Sequence, residues 1–175
     1  MEIKATLNKP YTETQRADFI VINNHQKGYE IKETENALEA WGETIEEQLI
    51  QAKQAKYNEA NTKAALYLEG GNALFEFEEG KHIEATDGNI AKLTAYALAF
   101  VTGQLEPSAT VVWNTKEDET VNLTSEQIAQ IIAGLGQVQA QVWAVQFPQY
   151  VSSIESAQTI EEVNAIIIDY ESEDE

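Results

Sequence analysis

The chain has 175 residues, enough for one ordinary domain or two small ones, and its 43% hydrophobic content is sufficient to build a core. Thirty acidic residues against eleven basic ones give a net charge of -19. That charge repels nucleic-acid phosphates and anionic membranes, because both need Lys/Arg patches that release counterions, and it favours a basic partner surface instead. The sequence has no cysteine, which excludes disulfides, thiolate nucleophiles and Cys-based zinc sites together and suits a reducing cytosol. Met1-Glu-Ile-Lys-Ala-Thr shows no basic region followed by an apolar stretch, so no signal peptide is expected. The apolar runs near Ala95–Val101 and Ile166–Ile168 fall far short of the roughly 20 residues that span a bilayer. A soluble intracellular protein is the expectation.

In chain order, Thr12-Glu-Thr-Gln predicts a helix start, with Phe19, Ile20 and Ile22 on a short helix that ends at Gly28. Tyr29-Glu-Ile-Lys alternates apolar and polar residues, Glu35-Asn36 makes a turn, and Ala37–Trp41 returns, which reads as a β-hairpin. These elements make an N-terminal helix-hairpin module over 1–43. Thr44-Ile-Glu-Glu has the form of a capping box and opens a linking helix over 44–70, with a thin stripe of Ile45, Leu49, Ala52, Lys56 and Ala60. Gly70-Gly71 marks the next turn.

The C-terminal domain is expected over 71–170. Leu74, Phe75, Phe77 and Ile83 flank a turn at Glu79-Gly80, a hairpin signal. Thr86 or Asp87 caps a helix carrying Ile90, Leu93, Ala97 and Val101, which Gly103 ends and Pro107 prevents from continuing. Thr110–Thr115 and Thr120–Leu123 form a second hairpin about the charged turn Lys116-Glu-Asp-Glu. Thr124-Ser125 caps the longest helix, whose stripe runs through Ile128, Ile131, Leu135, Val138, Val142 and Val145 until Pro148 kinks or interrupts it. Gly134 and Gly136 within it allow close packing against a strand or helix. A last helix starts at Thr159, docks through Val163, Ile166 and Ile167, and leads into an acidic tail over 171–175. The fold class is α+β: an N-terminal helix plus β-hairpin, a linking helix, and a C-terminal domain of two β-hairpins packed on two or three helices.

The order Asn72-Ala-Leu-Phe-Glu-Phe-Glu, His82-Ile-Glu-Ala, the helix through Ala91–Phe100, Thr110-Val-Val-Trp-Asn-Thr, Val121-Asn-Leu-Thr-Ser-Glu-Gln and Thr159-Ile-Glu-Glu-Val resembles a domain family of unknown function in bacteriophage proteins. The hairpin around Tyr29-Glu-Ile-Lys and Leu38-Glu-Ala-Trp is similar to N-terminal modules of small phage tail proteins. Members of the family are short accessory proteins encoded among tail and tail-fibre genes. The resemblance therefore implies a structural or assembly role in a phage virion or in the host cytoplasm during assembly. It implies contacts with other tail or fibre proteins, and no reaction.

The residues supply no reaction either. His25 and His82 stand alone without metal-ligand spacing, and no serine has a G-x-S-x-G setting. Gly70-Gly71-Asn72 lacks the Lys-Ser/Thr of a phosphate loop, and Asp87-Gly88-Asn89 lacks the alternating oxygens and final Glu of a calcium loop. No catalytic, cofactor-binding or metal residues are assigned, and no cofactor is expected. Interaction residues are assigned instead. Tyr29 and Trp41 are the preferred exposed anchors, because a small module has little core of its own. Trp143, at the side of its stripe, covers either a hairpin or a partner. The acidic tail with Glu171, Glu173 and Asp174 is either a solubilising end or a docking strip for a basic partner. A homo-oligomer is compatible with all of this. The competing class is an acidic intracellular inhibitor that mimics nucleic acid and blocks a nucleic-acid-binding enzyme, motivated by the charge of -19.

Overall fold

The computed structural model describes residues 1–171, so Glu173 and Asp174 lie outside the described residues. The architecture is mixed α+β, with three small antiparallel sheets and helices between them. The chain opens on β1 (Glu2–Asn8), which the sequence reading did not anticipate, and continues through α1 (Glu13–Ile20), a π-helical turn (Val21–Gln26), β2 (Glu30–Glu33) and β3 (Ala37–Gly42). Strands β1 and β2 flank β3, in the order β1-β3-β2, and the β1–β3 register shifts between Ile3 and Ala5. Leu38 and Ala40 of β3 are buried on one side of this sheet, with Leu7, Ala5 and Ile31 as their cross-strand neighbours.

Thr44 caps α2 (Ile45–Glu69) with a complete box: its hydroxyl accepts the Glu47 N–H and Glu47 accepts the Thr44 N–H. Ile45 does not join the stripe expected of it. It is 75% exposed, because the contact-making face of the helix is set lower down by Ala60, Ala64 and Leu68. Those three residues belong to the main core, together with Ile83, Leu93, Leu123, Ile128, Ile131 and Leu135 from the elements that follow.

The hairpin β4 (Leu74–Glu78) and β5 (Lys81–Glu84) turns at Gly80, whose φ of 73° lies in the left-handed region that glycine adopts without strain. Phe75 and Phe77 point at the core and α4 (Ser125–Ala140) packs on β4. Here Gly134 is required. A Cβ at that position would overlap the Phe75 ring, so the glycine lets strand and helix approach. Thr86, rather than Asp87, caps α3 (Asp87–Val101), and β6 (Val111–Asn114) pairs with β7 (Thr120–Leu123).

The long helix does not run unbroken to Pro148. It passes at Gln141 into a π-helical segment (Gln141–Gln146) and then into α5 (Phe147–Ser156), with Pro148 in its first turn, where a missing N–H costs nothing. The wider π turn changes the phase of the apolar stripe. Val142 remains buried, but Val145 comes to the surface. After α6 (Ile160–Ala165) the chain turns extended at Ile166. Ile167 is consequently 83% exposed, and Ile168 and Tyr170 take the docking role instead. This closing segment is tied to α2: Lys63 Nζ donates to the Ile168 carbonyl (2.9 Å) and the Tyr170 hydroxyl donates to the Ala60 carbonyl (3.1 Å). Among the described residues no helix is long and apolar enough to cross a membrane.

Candidate interaction sites

Tyr29 and Trp41 come together. The π turn delivers Tyr29: Gly28, at φ 73°, reverses the chain, the Tyr29 N–H donates to the Asn23 carbonyl (2.9 Å), and Asn24 Nδ2 donates to the Tyr29 carbonyl (2.8 Å). Buried Asn23 is itself held by its amide donating to the Phe19 carbonyl (3.0 Å). The Tyr29 ring lies over Gly42, where a Cβ would stand 2.8 Å from its ring carbon, so only glycine admits this approach. Trp41 is on the central strand, opposite Ile3 and Glu30. Its indole N–H donates to Glu39 Oε2 (2.9 Å) and Lys32 Nζ lies 4.9 Å from its ring centre, a cation–π arrangement. Both aromatics are half-buried rather than fully exposed. They line a depression of about 280 Å³ with Met1, Lys27, Glu30 and Glu43.

Trp143 stands apart from that depression, on the π segment before α5. It is 39% exposed and meets Phe147 edge-on at 5.4 Å, and Phe147 meets Tyr57 of α2 at 5.5 Å. Beside this aromatic strip, Ile50 and Tyr57 of α2 face Val151 and Ile154 of α5 across a largely apolar groove. Glu171 is exposed; it accepts from Asn72 Nδ2 (3.1 Å), and its N–H donates to Asp169 Oδ1 (2.9 Å). The described part of the acidic end is thus tethered to the turn after α2.

A polar clasp escaped the sequence reading altogether. Glu117, in the β6–β7 turn, accepts the His82 N–H (3.1 Å) on one oxygen and lies 2.8 Å from His82 Nδ1 with the other. The Lys116 N–H donates to the His82 carbonyl (2.9 Å), and Lys116 Nζ pairs with Glu84 at 2.6 Å. The backbone hydrogen bond from His82, followed by that of its side chain, holds the Glu117 carboxyl down at about 2. Gly71 roofs this cluster, since a Cβ there would stand 2.6 Å from Glu84 Oε1. Every contact in the clasp joins residues more than thirty positions apart, so no local motif signals it. Among the described residues no three His, Asp or Glu side chains converge to hold a metal ion.

The β4–β5 hairpin, α3, the β6–β7 hairpin and α4 follow one another inside the stretch 51–168, which matches the domain of unknown function DUF4376. The chain belongs to that family. The DUF4376 match begins within α2 and ends at Ile168, so it takes in Trp143 and the clasp and leaves out Tyr29, Trp41 and Glu171. The comparison with curated proteins gives no match, and neither does the comparison with solved structures.

Proposed function

We propose that the chain is a non-enzymatic accessory component of a bacteriophage tail or tail fibre, an adaptor or assembly chaperone that works through protein–protein contacts. The observation that carries the contact part of this reading is the Tyr29–Trp41 depression. Two large aromatics that keep an apolar body and a polar tip at a surface concavity are the residue types that anchor interfaces. The phage assignment rests on the resemblance of the sequence order from Asn72 to Val163 to a domain family found in bacteriophage proteins. The partners are other tail or fibre proteins, met in the virion or in the host cytoplasm during assembly.

Mass spectrometry of purified virions, together with the unassembled lysate fraction, tests the proposal. Stoichiometric presence in particles, or co-purification from lysate with tail proteins, is the expected result. The charge of -19 favours one second reading, an inhibitor that offers carboxylates in place of phosphates to a nucleic-acid-binding enzyme. A nuclease or polymerase as the co-purifying partner, with no tail protein, would replace the tail assignment by that one.

A further inference from the structure

The segment after α6 lies against α2 and α5 the way a peptide lies in a receptor groove. From Ile167 to Glu171 exposure alternates residue by residue: Ile168 and Tyr170 are buried, whereas Ile167, Asp169 and Glu171 face solvent. A period of two belongs to an extended segment whose alternate side chains fill pockets. Side chains of the groove grip its main chain. Lys63 Nζ of α2 donates to the Ile168 carbonyl (2.9 Å), and the Tyr150 hydroxyl of α5 donates to the Asp169 carbonyl (2.5 Å) and accepts the Asp169 N–H (3.1 Å). The Tyr170 ring contacts those of Tyr67 and Tyr150, and its hydroxyl donates to the Ala60 carbonyl in the middle of α2.

Two observations mark this segment as separable from the body it closes. It fills its groove incompletely: a depression of about 260 Å³ remains between it and the α2 side, where Lys63, Leu66, Tyr67 and Asn72 line it and Leu66 is 64% exposed. Its charge also works against it. Residues 169–175 carry five carboxylates and no base. The Asp169 and Glu171 carboxylates accept only from the Glu171 N–H and Asn72 Nδ2 among the described residues, so no ion pair fastens them. On a body that is itself strongly acidic, this repulsion opposes the hydrogen bonds and buried side chains that hold the segment down. We infer that Ile168–Glu171 is a detachable strap, a peptide ligand built into the chain, whose release opens on α2 and α5 a docking groove for an extended partner segment. The strap itself defines that occupant: an aliphatic residue where Ile168 lies and, two positions on, a tyrosine whose hydroxyl reaches the Ala60 carbonyl. With the strap closed the groove is filled, so an outside segment binds in proportion to the open fraction.

Amide exchange of the full chain, read residue by residue, tests the strap without any substitution and independently of the tail assignment. The Asp169 amide, protected by the Tyr150 hydroxyl, should exchange by a local opening that low urea leaves unchanged, whereas the Ala64 amide inside α2 should follow global unfolding. A labelled synthetic peptide of residues 165–171 tests the groove. It should bind the full-length Tyr170→Ala variant, and bind the parent about a hundredfold more weakly because the strap competes in place. The same peptide with alanine in place of its tyrosine should bind neither. An Asp169 amide that exchanges only with global unfolding overturns the inference, whether or not Tyr170→Ala folds. A folded Tyr170→Ala variant that ignores the peptide overturns it as well, since the groove then takes no outside segment. So does a peptide that binds parent and variant equally, or binds without its tyrosine, since its site then lies elsewhere.

Discussion

Gly134 and Glu117 each hold two elements together by opposite means, one by having no side chain and the other by using every oxygen it has. At Gly134 the Phe75 ring occupies the space a Cβ would need. Replacement by Ala favours the helix by about 1 kcal/mol, but the overlap with a packed ring costs about 1–3 kcal/mol, so the net effect is destabilising. Urea denaturation of Gly134→Ala should therefore show a lower midpoint, whereas Gly136→Ala, with open space around its Cβ position, should show none of that loss. Glu117 makes a pH prediction. Its carboxyl titrates at about 2 in the folded chain against an ordinary 4.5, so the folded state binds fewer protons than the unfolded one in between. The stabilisation is present above pH 4.5 and lost as pH falls toward 2. Melting temperatures followed over that window should drop less steeply in Glu117→Gln, and Glu47, held near 2 first by the N-terminal amine and then by the Thr44 N–H, should account for part of the remaining slope.

Among the elements, the closing segment after α6 carries the clearest prediction. Tyr170 is buried, stacks on Tyr67 at 6.4 Å, meets Tyr150 edge-on at 5.3 Å and reaches the Ala60 carbonyl, and burial pushes its phenol up to about 12. Tyr170→Ala should cost about 3–5 kcal/mol in chemical denaturation, and Tyr170→Phe only about 1 kcal/mol, because the ring is kept and one hydrogen bond is lost. Elements whose ends are set locally were legible from sequence. Thr44, Thr124 and Thr159 announced their helices because a cap needs only residues three apart, and Gly80 announced its turn because a left-handed φ needs glycine. Strand β1 was not read, although Ile3, Ala5 and Leu7 alternate. Its partner β3 is some thirty residues away, and the register shift beside Ile3 breaks the alternation. The run Ile166-Ile167-Ile168 could not reveal which isoleucine points inward until the backbone left the helix at Ile166. For the interaction residues, composition identified the aromatics, but only the fold brings Tyr29 to Trp41 and separates Trp143 from both.

At the scale of the whole molecule, stability is unevenly distributed. The buried residues Ala37, Leu38 and Ala40 of the N-terminal sheet lie outside the main core, which begins with Ala60 and gathers everything from the second half of α2 onward. Met1 joins the sheet to α2 by an exposed ion pair with Glu47, a contact of small worth. Amide hydrogen exchange should accordingly find β1–β3 opening at a lower free energy than α4, in a separate cooperative unit. Equal protection of the two would refute that division. The helix between them has a further meaning. At about 1.5 Å per residue, the 25 residues of α2 make a rod of about 37 Å. The Tyr29–Trp41 depression sits at one end, and at the other Glu69 receives the N–H of Asp87, the first residue of α3. A rod of that kind works as a ruler. Whatever is gripped at each end is held at one fixed spacing, so two contacts reinforce each other only when a partner, or an assembly of partners, repeats at that distance.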